Sequence, residues 1–252
     1  YERFTYMFGK NNYEILVTPT INDSDLLTWE DASGKYKDKL AKTRKRTGLN
    51  SALSVAYGKL TENINAVVVA SEWKYFGSSI GPDEGESILY ACQKSLETRS
   101  PLILFAMGGG MRMQLPSAVS LMQMPRTVLG LSEVKKKNIP VIVVADSVVA
   151  GGISASYAAV GDFLFFEGKK TKWMFAGPRV AANVSNTTPP ENFLEGEWCM
   201  SHGYGDSIIE KRKDTKDFLI KLLNIILKKD QSSDIDVISE TSENNIKARE
   251  AS

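Results

Sequence analysis

The fold of this chain is decided by LILFAMGGGMRMQ, residues 102 to 114. The first five residues, Leu102 to Ala106, are all apolar and predict a buried strand of an α/β protein. Gly108 to Gly110 follow, before a long and mostly apolar helical segment. Because glycine permits positive φ and close approach of a ligand, such a turn can offer two backbone N–H groups to a carbonyl oxygen. The stretch is a candidate oxyanion hole, although a turn selected only for packing has the same pattern.

Strand and helix signals alternate on both sides of this stretch. The predicted strands are Tyr13 to Val17, Ser54 to Tyr57, Ala66 to Ser71, Leu102 to Ala106, Val141 to Ala145, Phe163 to Phe166 and Trp173 to Phe175. The predicted helices are Lys35 to Gly48, Glu86 to Leu96, a segment after Gly110 that Pro125 should kink or divide, Ile153 to Val160, part of Glu191 to Gly203, and Lys216 to Lys229. Tyr75 to Gly81 is predicted to be a flexible loop. Since Gly151-Gly152 also lies between a strand and a helix, the pattern favours an α/β architecture with a ligand where such turns converge.

The composition excludes several classes of protein. The chain has 252 residues, 42% of them hydrophobic, and a formal net charge of +1, which predicts one large domain with no global attraction to nucleic acid or a membrane surface. Cys92 and Cys199 lie far apart, which predicts neither a disulfide framework nor a zinc site and fits a reducing compartment. No apolar run approaches the roughly 20 residues of a membrane span, and no secretory signal opens the chain. Because residue 1 is Tyr and not Met, we expect the native N-terminus and any targeting peptide to lie upstream.

Side-chain catalysis has little support in the sequence. His202 is the only histidine, and no GxSxG motif accompanies it. The run GGGMRM fits neither GxGxxG nor GxxxxGK[ST], which disfavours a Rossmann or P-loop site. Cys92 falls on the apolar face of a predicted helix and is expected to belong to the core. Backbone donors at the two glycine turns remain, and such donors stabilise enolates without a charged side chain.

Several segments, in order and at matching separations, resemble the carboxyltransferase β subunits of multisubunit bacterial and plastid acetyl-CoA carboxylases. KYKDKLAKTRKRTG (35–48) resembles that family's KYKDRL…KTG, and residues 76–81 resemble its MGGSMG loop. GGGMRMQ is similar to SGGARMQ, and GGISASY is similar to GGVSASF. SLMQM (120–124) and FAGPRV (175–180) match outright.

The resemblance implies a crotonase-like (ClpP/crotonase) fold, a superhelix of repeated β-β-α units. It implies an enzyme, the carboxyltransferase β-type subunit of acetyl-CoA carboxylase, which transfers a carboxyl group from carboxybiotin to acetyl-CoA to form malonyl-CoA, the first committed step of fatty acid synthesis. The implied cofactor is biotin on a separate biotin carboxyl carrier protein, with no metal in this chain. The implied partner is a carboxyltransferase α subunit in an α2β2 heterotetramer, in the cytoplasm or a plastid stroma, with no nucleic acid and no membrane span. The biotin nitrogen that releases the carboxyl group can take the methyl proton of acetyl-CoA, so that no side-chain base is required.

The resemblance also implies the site residues. The two glycines of SGGAR donate their backbone N–H groups to the reacting carbonyl, a role that carries over to Gly109 and Gly110. Further expected substrate-binding positions are Phe76, Gly77, Met111, Arg112, Gly151, Gly152, Ala176 and Gly177. Arg44 and Arg46 are candidates to bind the phosphates of CoA by charge-assisted hydrogen bonds, and a merely solvated helix face is the alternative.

Departures from the family pattern cluster around the site. Met107-Gly108 replaces Ala-Ser, Met111 replaces Ala, Leu115-Pro116 replaces Glu-Gly or Glu-Ala, Pro125 replaces Ala, and Ser78 replaces a glycine. Since Met111 can narrow the acyl pocket, the alternatives are a subunit of a related acyl-CoA carboxylase or of malonate decarboxylase, and a non-catalytic assembly subunit with a diverged site.

The expected organisation is an N-terminal arm (1–34), a carboxyltransferase domain (35–229) and a disordered polar tail (230–252). The four-cysteine zinc ribbon that precedes the domain in the family is absent from these residues, and both its loss and its removal before residue 1 stay open.

Overall fold

The computed structural model describes residues 2–20, 28, 30–113, 117–177, 184 and 190–227. The chain divides into two compact units, Tyr1–Arg212 and Lys213–Ser252. The elements of the first unit are α1 (Glu2–Phe8), β1 (Tyr13–Leu16), β2 (Glu30–Asp31), β3 (Gly34–Lys35), α2 (Tyr36–Thr47), β4 (Leu53–Lys59), β5 (Asn65–Ser71), a short 3₁₀ turn (Phe76–Ser78), α3 (Pro82–Thr98), β6 (Leu102–Gly108), α4 (Ser117–Leu121), α5 (Gln123–Lys135), β7 (Val141–Ala150), β8 (Phe163–Met174), α6 (Gly196–Ser201) and β9 (Ser207–Ile209). In the second unit, residues 215–227 form helix α7, as predicted, and the expected tail lies outside the described residues.

One seven-stranded sheet organises the first unit, in the order β1-β4-β5-β6-β7-β8-β9. β1, β4 and β5 are antiparallel neighbours, whereas the pairs from β5 to β9 are parallel. The β4–β5 hairpin followed by α3 is a β-β-α unit. Helices α3 and α5 carry the chain between parallel strands and pack on each other.

The central strands are apolar runs because both faces of the sheet are covered. Val67, Ile103 and Val143 are each 0% exposed, as expected of parallel strands with protein on both sides. Gly130 of α5 leaves room for Leu89 and Cys92 of α3, since a Cβ at Gly130 would lie 2.7 Å from Leu89 Cδ2. The predicted position of Cys92 in the core is confirmed.

The second half of the sheet departs from the sequence prediction. The sequence predicts two strands, Phe163 to Phe166 and Trp173 to Phe175. In the structure they form one strand of 12 residues, β8, which pairs with the ten-residue β7. The polar residues between Glu167 and Lys172 of β8 fall at a shift in the pairing register and have no partners on β7. Residues 153–160 form successive turns and not the predicted helix. Hydroxyls of Ser154 and Ser156 donate to the carbonyls of Gly151 and Gly152 at 2.9 and 2.5 Å, in competition with the backbone N–H groups that a regular helix would use.

The polar, aromatic arm predicted for residues 1–34 contains a helix that periodicity did not reveal. α1 buries Phe4, Met7 and Phe8. Its Arg3 donates to Asp146 on β7 at 2.8 Å and to Glu167 on β8 at 2.6 Å. The Arg3 guanidinium also lies 4.3 Å from the centre of the Phe105 ring. The prediction that Pro125 divides the next helical segment is confirmed, since α4 ends at Leu121 and Pro125 lies in the first turn of α5.

Candidate active site at the glycine turns

The two glycine turns lie side by side at the carboxyl ends of β6 and β7. A Cβ placed on Gly110 would lie 3.3 Å from the backbone nitrogen of Gly152 and 3.4 Å from the carbonyl oxygen of Ala150. A Cβ on Gly151 would lie 3.3 Å from the carbonyl oxygen of Gly109. Gly110 also has φ +115°, which L-residues rarely adopt. Glycine is therefore required here for conformation and for the close approach of two backbones.

The backbone N–H groups of these turns are not equally available. Gly109 donates to Gly77 O at 3.2 Å, and Gly151 donates to the carbonyls of Met174 and Phe175, both at 3.1 Å. The N–H groups of Gly110 and Gly152 have no acceptor within the part of the chain that the structure describes. Of the expected donor pair, Gly110 keeps its N–H free of acceptors among the described residues, whereas the N–H of Gly109 is engaged by Gly77; the role of the pair stays a prediction.

The acceptor of Gly109 belongs to a turn that is held by many contacts. Residues 77–80 run alongside residues 109–112: Ile80 N–H donates to Gly110 O at 2.9 Å, and Arg112 N–H donates to Ile80 O at 2.7 Å. The sequence predicts a flexible loop for Tyr75 to Gly81, but in the structure this segment is a turn whose backbone pairs with the glycine turn. The Phe76 ring packs between Tyr36, at 5.8 Å, and Tyr75, at 5.6 Å.

Arg112 lies inside the protein. Its side chain is 1% exposed, and its guanidinium donates to Glu84 at 2.8 Å, to Ser79 O at 2.7 Å and to the Tyr36 hydroxyl at 3.2 Å. Burial by itself lowers the pKa of Arg112, but the charges of Glu84 and Tyr36 and the hydrogen bonds to both side chains together outweigh it, so that the pKa is raised. In this structure the Arg112 guanidinium is engaged by an internal ion pair with Glu84, and its expected place beside the substrate stays a prediction.

Glu84 was missed by the sequence analysis. Its carboxylate accepts the N–H of Gly81 at the start of α3 and the N–H of Ala52 just before β4, both at 2.8 Å. The only local signal was an acidic residue in the first turn of a helix, which is common at exposed helix starts.

The remaining predicted site residues occupy different environments. Met111 is 9% exposed, and a Cβ on Gly152 would lie 2.7 Å from its Cγ, so that its side chain fills space beneath the second glycine turn. Ala176 and Gly177 are half-buried, and residues 178–180 of FAGPRV lie outside the described residues. On α2, Arg44 pairs with the buried Asp83 at 3.2 Å, and Arg46 donates to Lys74 O at 2.6 Å. Both arginines retain some exposure to solvent.

The described residues offer few side chains suited to a metal site or to histidine catalysis. No group of three or more metal-binding side chains is present there. His202 stacks on Trp198 with ring centres 3.8 Å apart, and its Nδ1 lies 2.8 Å from Trp198 O, which makes it part of local packing. No described helix is both long enough and apolar enough to cross a membrane.

We expect Cys92 to resist alkylation in the native protein. Burial raises its pKa to about 12, so that at pH 8 only about one thiol in ten thousand is ionised, and the thiolate is the reactive form. Iodoacetamide labelling at pH 8, followed by mass spectrometry, checks this, with the urea-unfolded chain as the control in which Cys92 must react. Rapid labelling of native Cys92 would contradict the core assignment.

Most of the chain is similar in sequence to known proteins of one family. The carboxyl transferase domain model matches residues 20–250. The acetyl-coenzyme A carboxylase carboxyl transferase subunit β of Pelagibacter ubique is 42% identical over 231 residues, which are 92% of this chain and 73% of that protein. The subunit of the same name from Caulobacter vibrioides is 36% identical over 225 residues, which are 89% of this chain and 71% of that protein.

Solved structures show the same fold. The Pseudomonas malonate decarboxylase MdcD–MdcE heterodimer has a TM-score of 0.65 at 18% identity, covering 90% of this chain and 85% of that one. The transcarboxylase 12S core with methylmalonyl-coenzyme A has a TM-score of 0.68 at 18% identity, covering 88% of this chain and 40% of that one. The predicted crotonase-like fold is confirmed. The chain belongs to the carboxyl transferase domain family and, within it, to the acetyl-CoA carboxylase carboxyltransferase β subunits.

Proposed function

We propose that this chain supplies the β-type half of a carboxyltransferase site that converts acetyl-CoA to malonyl-CoA, the first committed step of fatty acid synthesis. The observation that carries the proposal is the pair of backbone N–H groups on Gly110 and Gly152, which have no acceptor among the described residues and lie on two turns in contact. In the proposed site both donors bind one oxygen, and donors placed in this way stabilise an oxygen that becomes negative in the transition state. Loss of a methyl proton from acetyl-CoA places such charge on the thioester oxygen.

The donor set fits an oxyanion without needing a charged side chain. Both groups are backbone N–H donors fixed by their neighbours, so that they require little reorganisation when charge develops. Carboxybiotin, when bound, supplies the carboxyl group and a second oxygen on which negative charge develops as that group leaves. In this chain, Gly110 and Gly152 would hold the thioester oxygen, and the absence of side chains on Gly109 and Gly110 would leave room for the acyl group.

The proposed partners follow from the family. We assign to this chain a carboxyltransferase α subunit, in an α2β2 heterotetramer, and a biotin carboxyl carrier protein that delivers biotin. The Pelagibacter and Caulobacter relatives are bacterial proteins, which supports a cytoplasmic location. The α subunit would contribute the donors for the second oxygen.

Two other functions are separated from this one by a single assay. A related acyl-CoA carboxylase or a malonate decarboxylase subunit is favoured by the fold shared with those enzymes, and a non-catalytic assembly subunit is favoured by the substitutions near the glycine turn. The assay uses the complex with the α subunit and measures the transfer of radiolabelled carboxyl groups to acetyl-, propionyl- and butyryl-CoA. The release of CO2 from malonate is measured in parallel, and the two results distinguish these functions. We expect acetyl-CoA to be the best acceptor, and a complex without transfer to any acyl-CoA would overturn the proposal.

We expect Arg44 and Arg46 to bind the 3′-phosphate of CoA. Both arginines retain some exposure to solvent, Arg44 beside Asp83 at the start of α3 and Arg46 beside Lys74, and charge-assisted bonds to phosphate are strong. The double variant Arg44→Ala, Arg46→Ala should raise KM for acetyl-CoA by about 10-fold and leave KM for the analogue without the 3′-phosphate nearly unchanged.

The control removes the same charge from the start of the same helix, as Lys35→Ala, Lys37→Ala, and should not discriminate between the two substrates. If the arginine variant and the unmodified protein discriminate equally between acetyl-CoA and the analogue without the 3′-phosphate, these arginines are only part of a solvated helix face.

A further inference from the structure

The turn beside the glycine pair adopts a backbone that its side chains disfavour. Phe76, Gly77 and Ser78 have φ values of 50°, 62° and 56°, three left-handed residues in a row. Only the glycine adopts this region readily. Ser78 is also fully buried, and its hydroxyl has no hydrogen-bond partner in the described part of the chain. Strain of this kind persists only where surrounding contacts impose it, and it concentrates at functional sites.

The Arg112 guanidinium imposes this conformation. It donates to both the carbonyl oxygen and the hydroxyl of Ser79, at 2.7 and 3.2 Å, and lies 4.9 Å from the centre of the Phe76 ring. The Ser79 hydroxyl in turn donates to Phe76 O at 2.8 Å, which closes the turn. Glu84 fixes the guanidinium from the other side and is itself bonded to the start of α3 and to the residue before β4.

Two hydrogen bonds connect this turn to the residues on either side of one peptide group of the site. Gly77 O accepts the N–H of Gly109, and Ile80 N–H donates to Gly110 O. These two bonds flank the peptide unit between Gly109 and Gly110, whose N–H is the free Gly110 donor. A tilt of the 76–80 segment would therefore rotate that donor away from the oxygen it serves.

We propose that Glu84 and Arg112 are positioning residues for carboxyl transfer: their ion pair holds the left-handed 76–78 turn, and the turn aims the Gly110 N–H. The inference rests on the proposed role of Gly110. It accounts for a buried ion pair at a place where apolar residues would pack as stably.

The test uses Arg112→Lys in the complex with the α subunit. Lysine keeps the charge beside Glu84 but loses the planar fork that reaches Ser79 and Tyr36. A misplacement of the donor by about 1 Å should lower kcat by about 100-fold, while KM for acetyl-CoA changes by less than about threefold. A general loss of stability in Arg112→Lys would not be repaired by changing one residue of the 76–78 turn. The decisive measurement is therefore whether a second substitution in that turn restores kcat. Adding Ser78→Gly, which removes the strain that Arg112 must hold, should restore kcat about 10-fold.

A matched control separates local from general stabilisation. Ser147 has the same residue type and the same φ of 56°, on β7. Ser147→Gly should raise the melting temperature of the Arg112→Lys variant as Ser78→Gly does but should not restore kcat. Equal rescue by both glycines would overturn the inference, as would an Arg112→Lys enzyme with unchanged kcat.

Two further variants keep the outcome interpretable. Should Arg112→Lys fail to fold, Tyr36→Phe removes one acceptor of the guanidinium and keeps the ring on Phe76, and it should lower kcat about threefold with the same rescue by Ser78→Gly. Normal kcat in Tyr36→Phe would then count against the inference. If Gly110→Val retains turnover, the proposed function fails; if Gly110→Val loses turnover while Arg112→Lys retains it, only the positioning role fails.

Discussion

Replacing Gly110 by valine should lower kcat for carboxyl transfer by about 1,000-fold or more, since removing one oxyanion donor typically costs 100- to 1,000-fold and the new side chain also blocks the approach to it. The backbone at Gly110 has φ +115°, and any Cβ there meets the backbone of Gly152 at 3.3 Å. A branched side chain must therefore push the two turns apart. The two free N–H groups, one on each turn, would then move apart.

The same substitution also strains the backbone, so that its effect on stability needs a control. Gly34 has a similar φ of +109° with no atom within 4 Å of a built Cβ. Gly34→Val imposes the backbone strain without the contact between turns, so that it should lower the melting temperature less than Gly110→Val and should leave kcat within about twofold. Turnover near that of the unmodified protein in a folded Gly110→Val complex would falsify the oxyanion assignment.

The chain purified without a carboxyltransferase α subunit should transfer carboxyl groups at least about 1,000-fold more slowly than the complex. Of the four glycine N–H groups at the two turns, the donors of Gly109 and Gly151 are engaged inside the protein. In the proposed site the remaining two serve one oxygen, whereas carboxyl transfer develops charge on two. Neither of the two glycine pairs then has a donor left for the second oxygen.

Titration with the α subunit measures this directly. Initial rates should rise with the amount of α subunit and saturate when the complex is complete, with Gly110→Val as the chain that assembles and stays inactive. A high rate from the isolated monomeric chain, confirmed by light scattering, would show that both oxygens are served by one chain and would contradict the half-site.

The central sheet could be predicted from sequence because its signals are local. Leu102 to Ala106 and Val141 to Ala145 are buried apolar runs, and the glycines after each strand mark turns that parallel neighbours bring together. The identity of the free donors could not be predicted in this way. It depends on a bond between Gly109 and Gly77, which are 32 positions apart in the printed sequence.

The surroundings of Arg112 could not be predicted for a similar physical reason. The family resemblance places Arg112 near the substrate, a role that stays a prediction, and only the folded chain brings the buried Glu84 against its guanidinium. The turns at residues 153–160 were misassigned because a run of small apolar residues predicts a helix, while the hydroxyls of Ser154 and Ser156 compete for the same carbonyls.

The anchoring of α1 by Arg3 has a consequence for synthesis of the protein. Asp146 and Glu167 lie 143 and 164 positions after Arg3, so that both carboxylates leave the ribosome long after the helix does. A helix of seven residues is too short to be stable alone in water. During translation, Phe4, Met7 and Phe8 therefore stay exposed while the ion pairs of Arg3 cannot yet form. Helix α1 is made long before the strands that anchor it, and the nascent chain is most in need of chaperone protection until β8 has been synthesised.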